Sequence, residues 1–119
     1  MHVVRFTEAP GYTAPGHHNM AMVRLQGREA CPSSDLLIGV SVIAPGGGTT
    51  LSSSPQEKMY VAIDGIIHVS NGEDEVALGK WDSCRIAGGE NRRLTNRTDS
   101  PVTVLLVMPL SVDERQRGL

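Results

Sequence analysis

Few residues of this chain are of types that carry acid–base, nucleophilic or metal chemistry. His17 and His18 lie side by side in a stretch rich in Pro and Gly, APGYTAPGHHN. Neighbouring residues on a strand point to opposite faces, so a strand could not turn both onto one metal, although a loop relaxes this. The pair could be exposed or touch a partner. His68 stands in an apolar run. It is a candidate interior base, since an unperturbed imidazole titrates near neutrality; a packed or edge histidine is the alternative. Cys31 and Cys84 show neither CxxC spacing nor nearby ligand pairs. That argues against a zinc site built on them and against a disulfide framework. Cys84 reads as core, as do Met20, Met22, Met59 and Met108.

The elements that must position these residues are short and strand-like. Residues 1–8 can form a first strand, and residues 9–19 are loop. Residues 20–26, MAMVRLQ, alternate as a second strand. The run 36–44, LLIGVSVIA, is rich in Val and Ile, and a Pro-Gly-Gly-Gly turn follows at 45–48. Asp64-Gly65 between two apolar runs is a hairpin signal, because both residues tolerate φ > 0. Asn71-Gly72 and Gly88-Gly89 supply further turns around the runs 66–70, 75–78, 81–86, 91–97 and 101–108. Close-set short strands with Gly and Pro turns predict an all-β sandwich or barrel with almost no helix.

The stretch 45–65, PGGGTTLSSSPQEKMYVAIDG, resembles the first motif of the cupins. That motif runs Gly, five residues, His-x-His, three or four residues, Glu, six residues, Gly. The frame fits from Gly46 to Gly65 without a gap, but Ser52, Ser54 and Lys58 stand at the two His positions and the Glu position. The second motif runs Gly, five residues, Pro-x-Gly, two residues, His, three residues, Asn. It falls on Trp81 to Asn96; Gly89 and Asn96 match, while Trp81, Ala87 and Arg92 replace Gly, Pro and His.

The resemblance implies a small single-domain, RmlC-like cupin, an antiparallel β-barrel of jelly-roll type (a double-stranded β-helix). One domain would span 1–119, with N-terminal strands and loop at 1–35, the two-motif core at 36–108 and a polar tail at 109–119. It also implies that Ser52, Ser54, Lys58 and Arg92 converge inside the barrel, and that an N-terminal segment packed over it could bring His17 or His18 to the mouth. Hydroxyls are poor metal ligands at neutral pH and cations repel a metal, so no metal and no other cofactor is expected. Two hydroxyls and two cations suit a small organic anion instead: a carboxylate, or a phosphorylated or sugar-like molecule. Isomerase or lyase chemistry through His68 or Tyr60 is conceivable, although the His-Asp base arrangement of metal-free sugar epimerases is missing. Alternatively Lys58 and Arg92 pair with Glu57, Asp82 or Glu90, and the domain is a non-catalytic degenerate cupin used for dimerisation or sensing.

Composition sets the outer bounds. The 119 residues carry a net charge of −2 with a pI near 6.0 and only 3% aromatics, so the core must be aliphatic. No basic stripe suggests nucleic acid. No apolar run approaches the ~18 residues of a membrane span, and no secretory signal is visible. A reduced, cytoplasmic chain is the expectation. A homodimer is expected too, with the N-terminal strands either covering a barrel edge or pairing with a neighbour.

Overall fold

A computed structural model describes residues 1–117, and among them alternating apolar runs fold into nine strands. These are β1 (Gly11–Tyr12), β2 (His17–Gln26), β3 (Leu36–Thr49), β4 (Lys58–Asp64), β5 (Ile67–Ser70), β6 (Glu75–Leu78), β7 (Ser83–Ile86), β8 (Arg93–Thr95) and β9 (Val102–Pro109). A single-turn 3-10 helix, Phe6–Glu8, precedes them and a short helix α1, Val112–Arg117, follows.

All pairings are antiparallel, in the order β6-β5-β8-β3-β9-β4-β7, with β2 on the other edge of β3 and β1 on β2. Strand β3 joins the two faces. Its first half pairs with β9, from Leu36↔Pro109 to Ile43↔Val102, and its far end meets β8 at Gly48↔Thr95. One strand serving both faces curls the sheet into a nearly closed jelly-roll barrel. That is the predicted fold class, with helix confined to short pieces.

Period-two alternation turns one residue in two inward. Ile43, Tyr60, Ala62, Ile67, Val69, Leu78, Ile86, Leu94, Val102 and Val104 form the main core. Leu37, Met108 and Leu110 form a second, smaller cluster, and Leu106 packs against both. Asn96, fully buried, ties the turn before β9 to β3. Its Nδ2 donates to the carbonyls of Ile43 (2.9 Å) and Ser100 (2.8 Å), and its Oδ1 accepts from the Thr98 amide (2.9 Å) and hydroxyl (2.7 Å).

Four local expectations are corrected. Residues 1–8 form no strand; the first strands are the two-residue β1 and then β2, which begins at His17, both inside the predicted loop. The Pro45-Gly-Gly-Gly stretch does not stop β3, which runs through it to Thr49. Asp64-Gly65 makes no hairpin: β4 pairs with β7 and β9, whereas β5 pairs with β6 and β8. Only Gly65 takes positive φ, +82°, where the predicted turn needs two such residues. Both flanking runs bury inward side chains, so the chain crosses from one face to the other instead of doubling back. Finally, the polar tail is helical over Val112–Arg117 and is held by a bidentate Arg28–Glu114 pair at 2.7 and 2.7 Å. Gly118 and Leu119, the end of that tail, lie outside the described residues.

Trp81 stands where the motif has Gly, and its backbone keeps the glycine conformation, φ +70°. The turn is closed by the Asp82 amide on the Gly79 carbonyl, 2.9 Å, and the side chain is 67% exposed. A left-handed non-glycine residue costs about 1–2 kcal/mol, and an exposed indole recovers little of it. Trp81→Gly should therefore stabilise the fold by about 1 kcal/mol. Urea unfolding should show a higher midpoint at unchanged slope; a lower midpoint would mean that the indole contributes more than the strain removes.

Candidate functional site

Strand β4 begins with a charge in the core phase. Lys58, Tyr60 and Ala62 are buried while Met59 is exposed, so the Lys58 side chain enters the barrel. Arg92 enters beside it. Its backbone exchanges hydrogen bonds with Ser52, Arg92 N–H to the Ser52 carbonyl at 2.8 Å and Ser52 N–H to the Arg92 carbonyl at 3.1 Å. Both cations are only 7% exposed.

A cavity of about 140 Å³ opens around them. Besides Lys58, Tyr60 and Arg92, its polar lining comes from Tyr12, His17, Arg24 and Arg28. Leu106 and Met108 close it from β9. Two of its cations are compensated. Arg24 donates from Nε to Glu29 at 3.0 Å and stacks on the Tyr12 ring at 3.7 Å, and Arg28 is paired to Glu114. The other two are not. Among the described residues no ion pair includes Lys58 or Arg92. Lys58 Nζ donates to the Ser54 hydroxyl, a neutral partner. Arg92 Nε and Nη1 are buried without any hydrogen-bond partner.

The acids nearest in sequence are engaged elsewhere. Glu57 pairs with Arg85. Asp82 accepts the Gly79 amide at 3.0 Å. Glu90 accepts the Ala87 amide at 2.9 Å and the Asn71 side chain at 3.0 Å.

The titrating groups register this environment. Burial, reinforced by the Arg92 charge, lowers the Lys58 pKa below the usual ammonium range. Burial pushes the Tyr60 phenol up to about 12, against the pull of Arg92. Burial, with smaller contributions from Arg92 and His18, holds His17 below an ordinary imidazole, while the carbonyl of Pro15 works the other way.

Of the residues named from sequence, Lys58, Tyr60 and Arg92 meet at the cavity, and Ser54 is tied to it through Lys58. Ser52 positions the Arg92 backbone, but its own side chain is exposed and outside the cavity lining. His68 is not brought there: it alternates with buried Ile67 and Val69 and pairs with Thr95 and Ala77 on the opposite side of the sheet. His17, opposite buried Thr49, reaches the cavity; His18, opposite Gly48, is exposed on the other face. Tyr12, Arg24 and Arg28 were not named from sequence. Arg24 was open to detection, since MAMVRLQ puts it in phase with Met20 and Met22.

A metal does not fit this set. The motif's ligand positions hold two hydroxyls and two cations, and a divalent ion would sit against uncompensated positive charge. Among the described residues no three His, Cys, Asp or Glu side chains are grouped to hold one elsewhere.

The Cupin domain family matches residues 39–108. A Mycobacterium tuberculosis protein named β-D-galactosidase is 39% identical over 114 residues, covering 96% of this chain and 98% of its own. An RmlC-like cupin from Shewanella frigidimarina superposes with a TM-score of 0.78 at 10% identity, covering 96% of this chain and 95% of that one. A sugar phosphate isomerase from Silicibacter pomeroyi superposes at 0.75 with 21% identity, covering 91% and 75%.

Proposed function

The chain belongs to the cupin family, and we propose that its barrel binds a small organic anion, sugar-derived or a simple carboxylate, without a metal. One observation carries this reading: among the described residues two buried, adjacent cations have no counter-charge, and Arg92 Nε and Nη1 have no hydrogen-bond partner. Burying an uncompensated charge costs several kcal/mol. An anion in the cavity removes that cost and adds charge-assisted hydrogen bonds of roughly 1.5–3 kcal/mol each. The names of the relatives direct the reading toward sugars. Hydrolysis of a glycoside ordinarily uses a pair of Asp or Glu side chains, and none lines this cavity. A sugar acid or sugar phosphate therefore suits it better than a neutral glycoside.

The second reading, a non-catalytic module for dimerisation or sensing, draws on how much of the barrel the two aliphatic clusters fill. The same titration separates the two readings. A thermal-shift screen of carboxylates, phosphates and sugar acids should find stabilising anions. Arg92→Ala should weaken them about tenfold or more, at ~1.4 kcal/mol per decade. Arg92→Lys should also lose affinity, because a point charge does not replace a planar fork. A screen negative throughout leaves the non-catalytic reading.

We also propose a homodimer. Strand β2 covers the edge of its own β3, so the partner surface would be the outer face of β4 and β9. There Met59, Val61 and Val107 line an apolar hollow of about 370 Å³, with Met59 45% exposed. A homodimer is the commonest oligomer. Light scattering at micromolar concentration should give twice the chain mass, and Met59→Glu should give a monomer; a wild-type monomer rejects the proposal. The free thiols of Cys31 and Cys84 suit a reducing compartment such as the cytoplasm. No described helix is long and apolar enough to cross a membrane.

A further inference from the structure

Among the cavity residues His17 is an imidazole, able to move a proton near neutral pH, whereas burial keeps the Tyr60 phenol protonated. The preceding loop fixes His17. Gly16 has φ +71°, its carbonyl accepts the Thr50 amide at 2.8 Å, and a Cβ on it would meet the Thr50 hydroxyl at 2.5 Å. The ring is oriented as well. His17 Nδ1 lies 2.8 Å from the Pro15 carbonyl, which can only accept, so Nδ1 carries the hydrogen. In the neutral ring that leaves Nε2 with its lone pair free. The charged and titratable groups around the cavity are Tyr12, Arg24, Arg28, Lys58, Tyr60 and Arg92, with His18 adjacent in the chain. No carboxylate among them would draw a proton onto His17, and the cations favour its neutral form.

Resting on the anion-site reading, we infer that His17 is a general base, and that the substrate is an organic acid carrying a carbonyl next to a C–H bond. Arg92 and Lys58 hold the acid. His17 Nε2 takes the proton from the carbon beside the carbonyl. The C–H electron pair becomes the C=C bond of an enolate, and the carbonyl π pair moves onto oxygen, where the two cations face it. The imidazolium, after trading its proton with solvent, returns one to the same carbon while the oxygen's electron pair re-forms the carbonyl, giving hydrogen exchange. No oxidant, reductant or metal enters the balance. The base is thus supplied by β2, a strand outside the 39–108 family match.

The test is proton–deuterium exchange in D2O, followed by proton NMR, with pyruvate, 2-oxobutyrate, D-glucuronate and D-galacturonate as probes. Binding of each probe is measured in parallel by thermal shift. Wild-type protein should catalyse exchange at the carbon beside the carbonyl of at least one probe, with a rate that rises as His17 loses its proton at a pH below the ordinary imidazole range. His17→Asn keeps an N–H for the Pro15 carbonyl and lacks the base. It should bind that probe as wild type does and lose exchange by a factor of about 100 or more. Arg92→Ala should lose both. Binding without exchange, or full exchange by His17→Asn, overturns the role of His17 and leaves the anion site standing. No binding and no exchange with all four probes overturns both.

Discussion

Two buried cations side by side, with no acid among the described residues to answer them, constrain this barrel more than any other feature. Lys58 and Arg92 come from different motifs, about 34 residues apart in the chain, yet the register of β4 and the Ser52–Arg92 bridge bring both inside. Repulsion between them and the loss of water make that arrangement unfavourable by itself. The fold tolerates it because the rest of the interior is secured elsewhere: ten aliphatic and aromatic residues in the main core, and a fully satisfied Asn96 joining β3 to the β8–β9 turn. The same wall shows what compensation looks like. Arg24 and Arg28 each have a glutamate, and those pairs tie the loop after β2 to β2 itself and to α1 beside the cavity. The distinction between paired and unpaired cations is what the proposed anion site rests on.

The stability stored elsewhere thus permits an unfavourable centre, and an unfavourable centre is the usual cost of function. Placing the metal frame's four positions in Ser, Ser, Lys and Arg inverts the sign of the site. Positions that carry ligands for a cation in the motif carry positive charge here, which is the basis of the anion site proposed above. Tyr60 and His17 border the same cavity in neutral form: burial opposes charging of both, and the Arg92 charge adds to it at His17 but works against it at the Tyr60 phenol.

Much of this was legible in the sequence, for reasons that can be named. Period-two alternation and Gly/Pro punctuation gave the strands β5, β6 and β9 within a residue or so. The Gly46-to-Gly65 spacing identified the barrel although its chemistry had been replaced. The hairpin at Asp64-Gly65 failed because a local turn signal does not say which sheet the next strand joins; burial of Ile67 decided that. Strand β2 was placed too late in the chain because Gly16 and the histidines read as loop, whereas pairing with β3 made them strand. At the site, Lys58 and Arg92 were readable from motif positions alone. Ser52 was not separable from Ser54, since only three-dimensional register shows which hydroxyl turns inward. His17 and Arg28 reach the cavity through long-range packing, for which one sequence carries little signal.

The most direct measurement is a crystal structure of the protein grown with a small dicarboxylate such as malonate, read at Arg92 and Lys58. The account predicts an anion inside the barrel, its oxygens within hydrogen-bond distance of Arg92 Nε or Nη1 and of Lys58 Nζ, with both side chains buried as they are here. A metal ion coordinated at Ser52 and Ser54, or an Arg92 turned out to pair with Glu57, Asp82 or Glu90 while the cavity holds only water, would contradict it.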